Sequence, residues 1–72
     1  MFTIKCFTHC GIQHTYEATQ YTVPAEVVEE ERSVQAVVAN DVTHYVSPSS
    51  GHLACVIVEN ANGKTTQILR AR

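Results

Sequence analysis

The chain opens on FTIKCF, where Phe2, Ile4 and Cys6 fall on one face and Thr3 and Lys5 on the other. That period of two predicts a half-buried strand. HCGI follows as a turn, with Gly11 free to take a positive φ. The run 13–23 carries Thr, Tyr and Val and predicts a second strand, but its parity changes partway. Tyr16 and Ala18 share one face, whereas Tyr21 and Val23 belong to the other. A bulge or bend near Thr19 and Gln20 reconciles the two halves. Pro24, which has no N–H, then ends regular pairing or marks an edge.

The middle stretch, AEVVEEERSVQAVVAN, supports two readings. As a helix over 25–40 it sets Val27, Val28, Val34, Val37 and Val38 roughly on one side, with glutamates near the helix N-terminus. Glu31 spoils that stripe, and the valines lose rotamer freedom in a helix. As strands it divides into SVQAVVA, a two-residue Asn40-Asp41 turn and a return strand VTHYV. Asn and Asp tolerate the left-handed conformation of a tight hairpin. Propensity and turn chemistry agree on strands, and EEER becomes an exposed, charged connection or edge that resists pairing with other chains. The helix, giving an α+β fold, is the alternative.

SPSSG, residues 47–51, is a turn-rich loop, and HLACVIVEN after it is apolar on both faces, as a central strand requires. NANGKTTQIL, residues 60–69, contains GKT. A P-loop needs a glycine five positions before Gly63, where Val58 stands, and a helix after the lysine, where Thr65, Thr66, Ile68 and Leu69 continue as a strand. Asn62-Gly63 is instead a hairpin turn with both residues at positive φ. It pairs Ala61 with Lys64 and so places Ile57 opposite Ile68 and Val56 opposite Leu69. The expected fold is a single all-β domain spanning residues 1–72, an antiparallel sheet of five or six strands in a meander or barrel-like sandwich.

Composition sharpens this outline. Seventy-two residues with no Trp, five aromatics and ten valines make a small, aliphatic core with a thin stability margin. Three cysteines cannot all pair internally, no charged-then-apolar leader opens the chain, and the longest apolar run, 53–58, is too short to span a bilayer. A soluble protein of a reducing compartment, the cytoplasm, is expected. A formal charge of −2 leaves no broad basic footprint for nucleic acid, although Lys64, Arg70 and Arg72 gather near the end of the sequence.

Candidate chemistry is thin. Cys6, His9, Cys10 and His14 lie within nine residues and are ligand types that zinc takes tetrahedrally. Their spacing is not that of a C-x2-C knuckle and no second pair follows, so Cys6 reads as core and the histidines as surface. Cys10 with His14 or His44, and Ser49 or Ser50 with His52, are formal nucleophile–base pairs without a recognisable motif. Cys55 reads as buried packing. Neither a catalytic residue, a resident metal nor a cofactor is expected.

The closing stretch VIVENANGKTTQIL resembles the C-terminal hairpin of small uncharacterised proteins encoded by tailed phages and prophages. Those proteins end in a hairpin with an Asn-x-x-Gly-Lys-Thr-like turn, and YEATQYTV is compatible with the same group. The resemblance implies a phage or prophage origin and carries over no functional residue. The expected role is a non-enzymatic accessory protein acting through protein–protein contacts, with homodimerisation as one way to bury an exposed edge. A small metal-binding module using the first turn is the alternative.

Overall fold

A computed structural model describes residues 1–49 and 51–71. The alternating first segment forms β1 (Phe2–Thr8), which pairs antiparallel with β2 (Gln13–Ala18), Phe2 opposite Ala18 and Phe7 opposite Gln13. Thr8 N–H donates to Ile12 O at 2.9 Å, leaving a three-residue loop. Gly11 closes it at φ +87°, the conformation that follows a type I turn in such loops.

The parity change in 13–23 is a corner. The ladder of β2 ends at Ala18, and after Thr19 and Gln20 the chain resumes as β3 (Tyr21–Thr22) beside a different partner. Both β3 and β4 (Val27–Glu29) pair with β5 (Arg32–Ala39), Thr22 opposite Val38 and Val27 opposite Val34. Four residues, 23–26, therefore face three, 35–37. Pro24 lies in this interruption, where its missing N–H costs no ladder bond. The alternative helix over 25–40 is replaced by these two strands, because the valines alternate along pleated backbone. Glu30 and Glu31 form the two-residue turn between them, at φ 47° and 66°.

A second two-residue turn, Asn40-Asp41, joins β5 to β6 (Val42–Val46), with Asn40 at φ 54°. The chain then crosses to β7 (Leu53–Glu59), which β6 meets only at Val46 and Leu53, in parallel. β7 is the central strand: β1 lies antiparallel on one side and β8 (Thr65–Arg70) on the other. The described residues form eight strands, where the pattern suggested five or six, because the Thr19–Gln20 corner divides the expected strand 13–23 and the stretch beyond Pro24 adds the short β4.

The C-terminal hairpin reaches the expected register by a different route. Ile57 faces Ile68 and Val56 faces Leu69. The loop, however, has three residues, since Asn60 N–H donates to Lys64 O at 2.8 Å. Only Gly63 has positive φ, at 80°, and Asn62 does not. Asn60 Oδ1 holds this turn by accepting from the N–H groups of Asn62 and Lys64 at 2.9 and 3.0 Å. One extra residue, Thr66, then bulges between the pairs Glu59–Thr65 and Val58–Gln67 and restores the register.

The strand path β2-β1-β7-β6-β5-β3 begins and ends on strands that are contiguous in the chain, so the sheet wraps into a barrel-like sandwich. Ile4, Cys6, Val56, Val58 and Leu69 from one layer meet Val37, Ala39 and Val46 from the other. Cys55 is a correction to its expected burial: it faces outward beside Arg70 and Phe7 and is half-buried.

The two turn glutamates hold a left-handed conformation that costs an L-residue about 1 kcal/mol or more. Replacing Glu30-Glu31 by Asn-Gly is expected to raise the unfolding free energy by about 1 kcal/mol, read as a higher urea midpoint at unchanged slope. An unchanged or lowered midpoint would contradict that backbone assignment.

Candidate functional site

The barrel does not close everywhere. Among the described residues β8 pairs with β7 alone, and Ala71 N–H donates to Ala54 O at 2.8 Å. By the alternation of an antiparallel ladder, Gln67, Leu69 and Ala71 turn their backbone groups toward β7, while Ile68 and Arg70 turn theirs away. Across from this edge stand residues 23–25, themselves outside the β3 and β4 ladders. Between them runs an open groove of about 670 Å³, with Gln35 of β5 contributing to its lining.

The walls of this seam are largely apolar. Val23 is 38% exposed and Ile68 44%, alongside Pro24 and the core residue Leu69. Arg70 is the one charged residue that lines it among the described residues, and no carboxylate there lies within ion-pair distance of it. Tyr21 O–H donates to Thr66 Oγ1 at 3.0 Å, tying β3 to the bulge at the start of β8. Thr66 O–H in turn donates to Val58 O at 3.3 Å. The Tyr21–Thr66 bond thus fixes one end of the seam, and β8 turns the backbone groups of Ile68 and Arg70 into it with no ladder partner among the described residues.

The first-turn residues are dispersed. Cys6 is buried, His9 Nε2 bonds Ser47 O at 2.8 Å, and Cys10 and His14 are exposed. Among the described residues no three His, Cys, Asp or Glu side chains come close enough to hold a metal ion.

His44 instead joins Cys6. Its Nδ1 lies 3.8 Å from Cys6 Sγ, and its Nε2 is hydrogen-bonded to the Tyr16 hydroxyl. Burial holds the His44 imidazole below its ordinary pKa. Burial, and secondarily Cys55, pushes the Cys6 thiol up, and burial with Cys6 does the same for the Tyr16 phenol. A raised thiol pKa is the reverse of nucleophile activation, so this cluster is a neutral hydrogen-bonded chain at pH 7.

Ser49 and His52 do come together, with Ser47 and Glu29, around a cavity of about 170 Å³. Ser50 lies outside the described residues. His52 Nε2 pairs with Glu29, Ser47 Oγ accepts from Ser49 N–H at 3.2 Å, and the buried His52 Nδ1 has no partner among the described residues. No hydroxyl among the described residues is hydrogen-bonded to the imidazole. The cavity is smaller than the roughly 300–1,000 Å³ typical of ligand sites.

GKT is part of the hairpin, with Gly63 in the turn, Lys64 exposed and Thr65 opening β8. Lys64 and Arg70 sit near opposite ends of β8, about 20 Å apart at the strand rise, and Arg72 lies outside the described residues. The seam was not anticipated from the sequence. Its signals are Pro24, which breaks one wall, and Ile68, an apolar residue alternating outward on the last strand. Compared with known proteins, the chain matches no family model, no curated protein and no solved structure.

Two outcomes follow from this geometry. In native-state hydrogen exchange, the amides of Ile68 and Arg70 are expected to exchange much faster than those of Leu69 and Ala71; equal protection would mean that the edge is covered. The second outcome concerns pH. Unfolded histidine titrates near 6.5, while folded His44 stays neutral to lower pH. As pH falls through that interval the unfolded state gains a proton that the folded state lacks, and stability declines. The urea midpoint should therefore drop between pH 7.5 and 5.5. That drop should shrink in His44→Leu.

Proposed function

We propose that this protein is a non-enzymatic accessory protein, of phage or prophage type by the resemblance of its last hairpin, that acts by binding another polypeptide. The observation that carries the reading is the unpaired edge of β8 beside a two-walled groove. Exposed edges are normally blunted by charge, proline or a bulge, since they recruit other chains. The neighbouring edge follows that rule. β4 is only three residues long, runs into two glutamates and is preceded by Pro24. β8 is six residues long and proline-free, and between its bulge at Thr66 and its charge at Arg70 the exposed Ile68 turns its backbone outward. Strand addition to such an edge draws affinity from main-chain hydrogen bonds and specificity from alternate side chains.

The setting agrees with this role. The three cysteines are free thiols, which suits a reducing compartment such as the cytoplasm. No helix is long and apolar enough to cross a membrane among the described residues.

Ile68→Pro removes one outward N–H without touching the β7–β8 ladder, so it isolates the edge. Immobilised protein is expected to enrich extended, proline-free sequences from a random-peptide display library. The same selection on Ile68→Pro should recover none of them, while its thermal unfolding confirms that the barrel is intact. A folded Ile68→Pro protein that recovers the same peptides would remove β8 from the function.

A further inference from the structure

We propose that the seam receives one extended polypeptide segment as an added strand, with apolar side chains along its walls and an acidic side chain against Arg70. This rests on the reading above and specifies what fills the site. Ile68 and Arg70 present N–H and C=O groups in sequence along the edge, at the repeat of a ladder. A second extended backbone matches that repeat along its whole length.

The two walls decide between a single strand and a second barrel. Adjacent strands stand about 4.8 Å apart, and one added strand takes only that width beside β8. Another copy of this chain, approaching by its own β8 edge, brings its whole sheet behind that edge. Residues 23–25 stand across the groove in its way. A free peptide carries nothing behind it.

Charge then selects the sequence of the segment. Arg70 is the single charge on the groove lining among the described residues. Neither Glu26 nor Glu29 lines the groove, and Glu29 pairs with His52 at the smaller cavity. A carboxylate on the incoming strand would complete an ion pair with Arg70, and a basic residue there would be repelled. The apolar walls, Val23, Pro24, Ile68 and Leu69, favour aliphatic residues along the rest of the segment.

The test uses the whole protein and two synthetic heptapeptides, acetylated and amidated, each an alternation of Val and Thr. One is flanked by Glu at both ends, the other by Lys. In calorimetric titration at low salt, the acidic peptide is expected to bind about fivefold more tightly, the upper range for an exposed ion pair. Arg70→Glu should reverse the order. N-methylating alternate residues of the acidic peptide should abolish binding in one of the two phases, the one that blocks its bonding edge, without altering the protein.

Equal binding of the two peptides, or an order unchanged in Arg70→Glu, would overturn the acidic assignment. Continued sensitivity to Ile68→Pro in that case would leave β8 as the binding edge. Binding indifferent to both N-methyl phases and to Ile68→Pro would overturn strand addition altogether, as would no binding at millimolar peptide. A dimer that persists in sedimentation velocity at these concentrations, and that Ile68→Pro dissociates, would replace the peptide by a second copy.

Discussion

The barrel depends on one clamp at the Thr19–Gln20 corner. The chain from Gln13 to Thr22 serves two partners, β1 before the corner and β5 after it, and the side chain that secures the change belongs to Asn40. Its Oδ1 accepts from Thr19 N–H at 3.2 Å and from Thr19 O–H at 2.9 Å, while its backbone N–H donates to Gln20 O at 3.0 Å. The same residue is left-handed, at φ 54°, and makes the β5–β6 turn. Asparagine suits both tasks because its short amide bonds nearby backbone and tolerates that conformation. One position thus sets a hairpin and joins the two layers at a corner.

Joining the layers there has a geometric counterpart across the molecule. Among the described residues β8 is paired on one side only, and the Pro24 interruption leaves residues 23–25 across the groove from it without a ladder. The seam is therefore a product of topology, not of local sequence alone. The thin, valine-rich core explains why the polar chain of Cys6, His44 and Tyr16 is kept hydrogen-bonded. In a domain of this size an unpaired buried polar group would weigh heavily against a small total stability.

Much of the architecture was legible because alternation reports which residues face inward. Ile4 and Cys6, and the change of face between Ala18 and Tyr21, follow from parity, whereas β7 is apolar on both faces and its parity does not single out Val56 and Val58 over Cys55. Asn40-Asp41 was legible from turn chemistry. What escaped falls into two kinds. Asn62-Gly63 indicated the hairpin but not its loop length, since a type I turn closed by Gly63 uses the same residues as a two-residue turn. Contacts made by crossing, such as His44 with Cys6 and Tyr16, or His52 with Glu29, join residues 23 to 38 positions apart. Their spacing carries no periodicity, so no local pattern announces them. The seam belongs with these, because an edge is defined by which strand is missing beside it.

The Thr66 bulge has a consequence for how this chain can vary. The loop and the apolar pairs beyond it are set independently, with one residue of slack between them. The register at Ile57–Ile68 and Val56–Leu69 answers to packing, and the bulge absorbs whatever the turn adds. Losing that residue while the loop keeps three, or keeping it while the loop tightens to two, would leave every inward side chain on its own face. The hairpin is therefore a joint at which descendants of this sequence can gain or shed a residue without a compensating change in the core. Drift in length belongs there before anywhere else in the barrel.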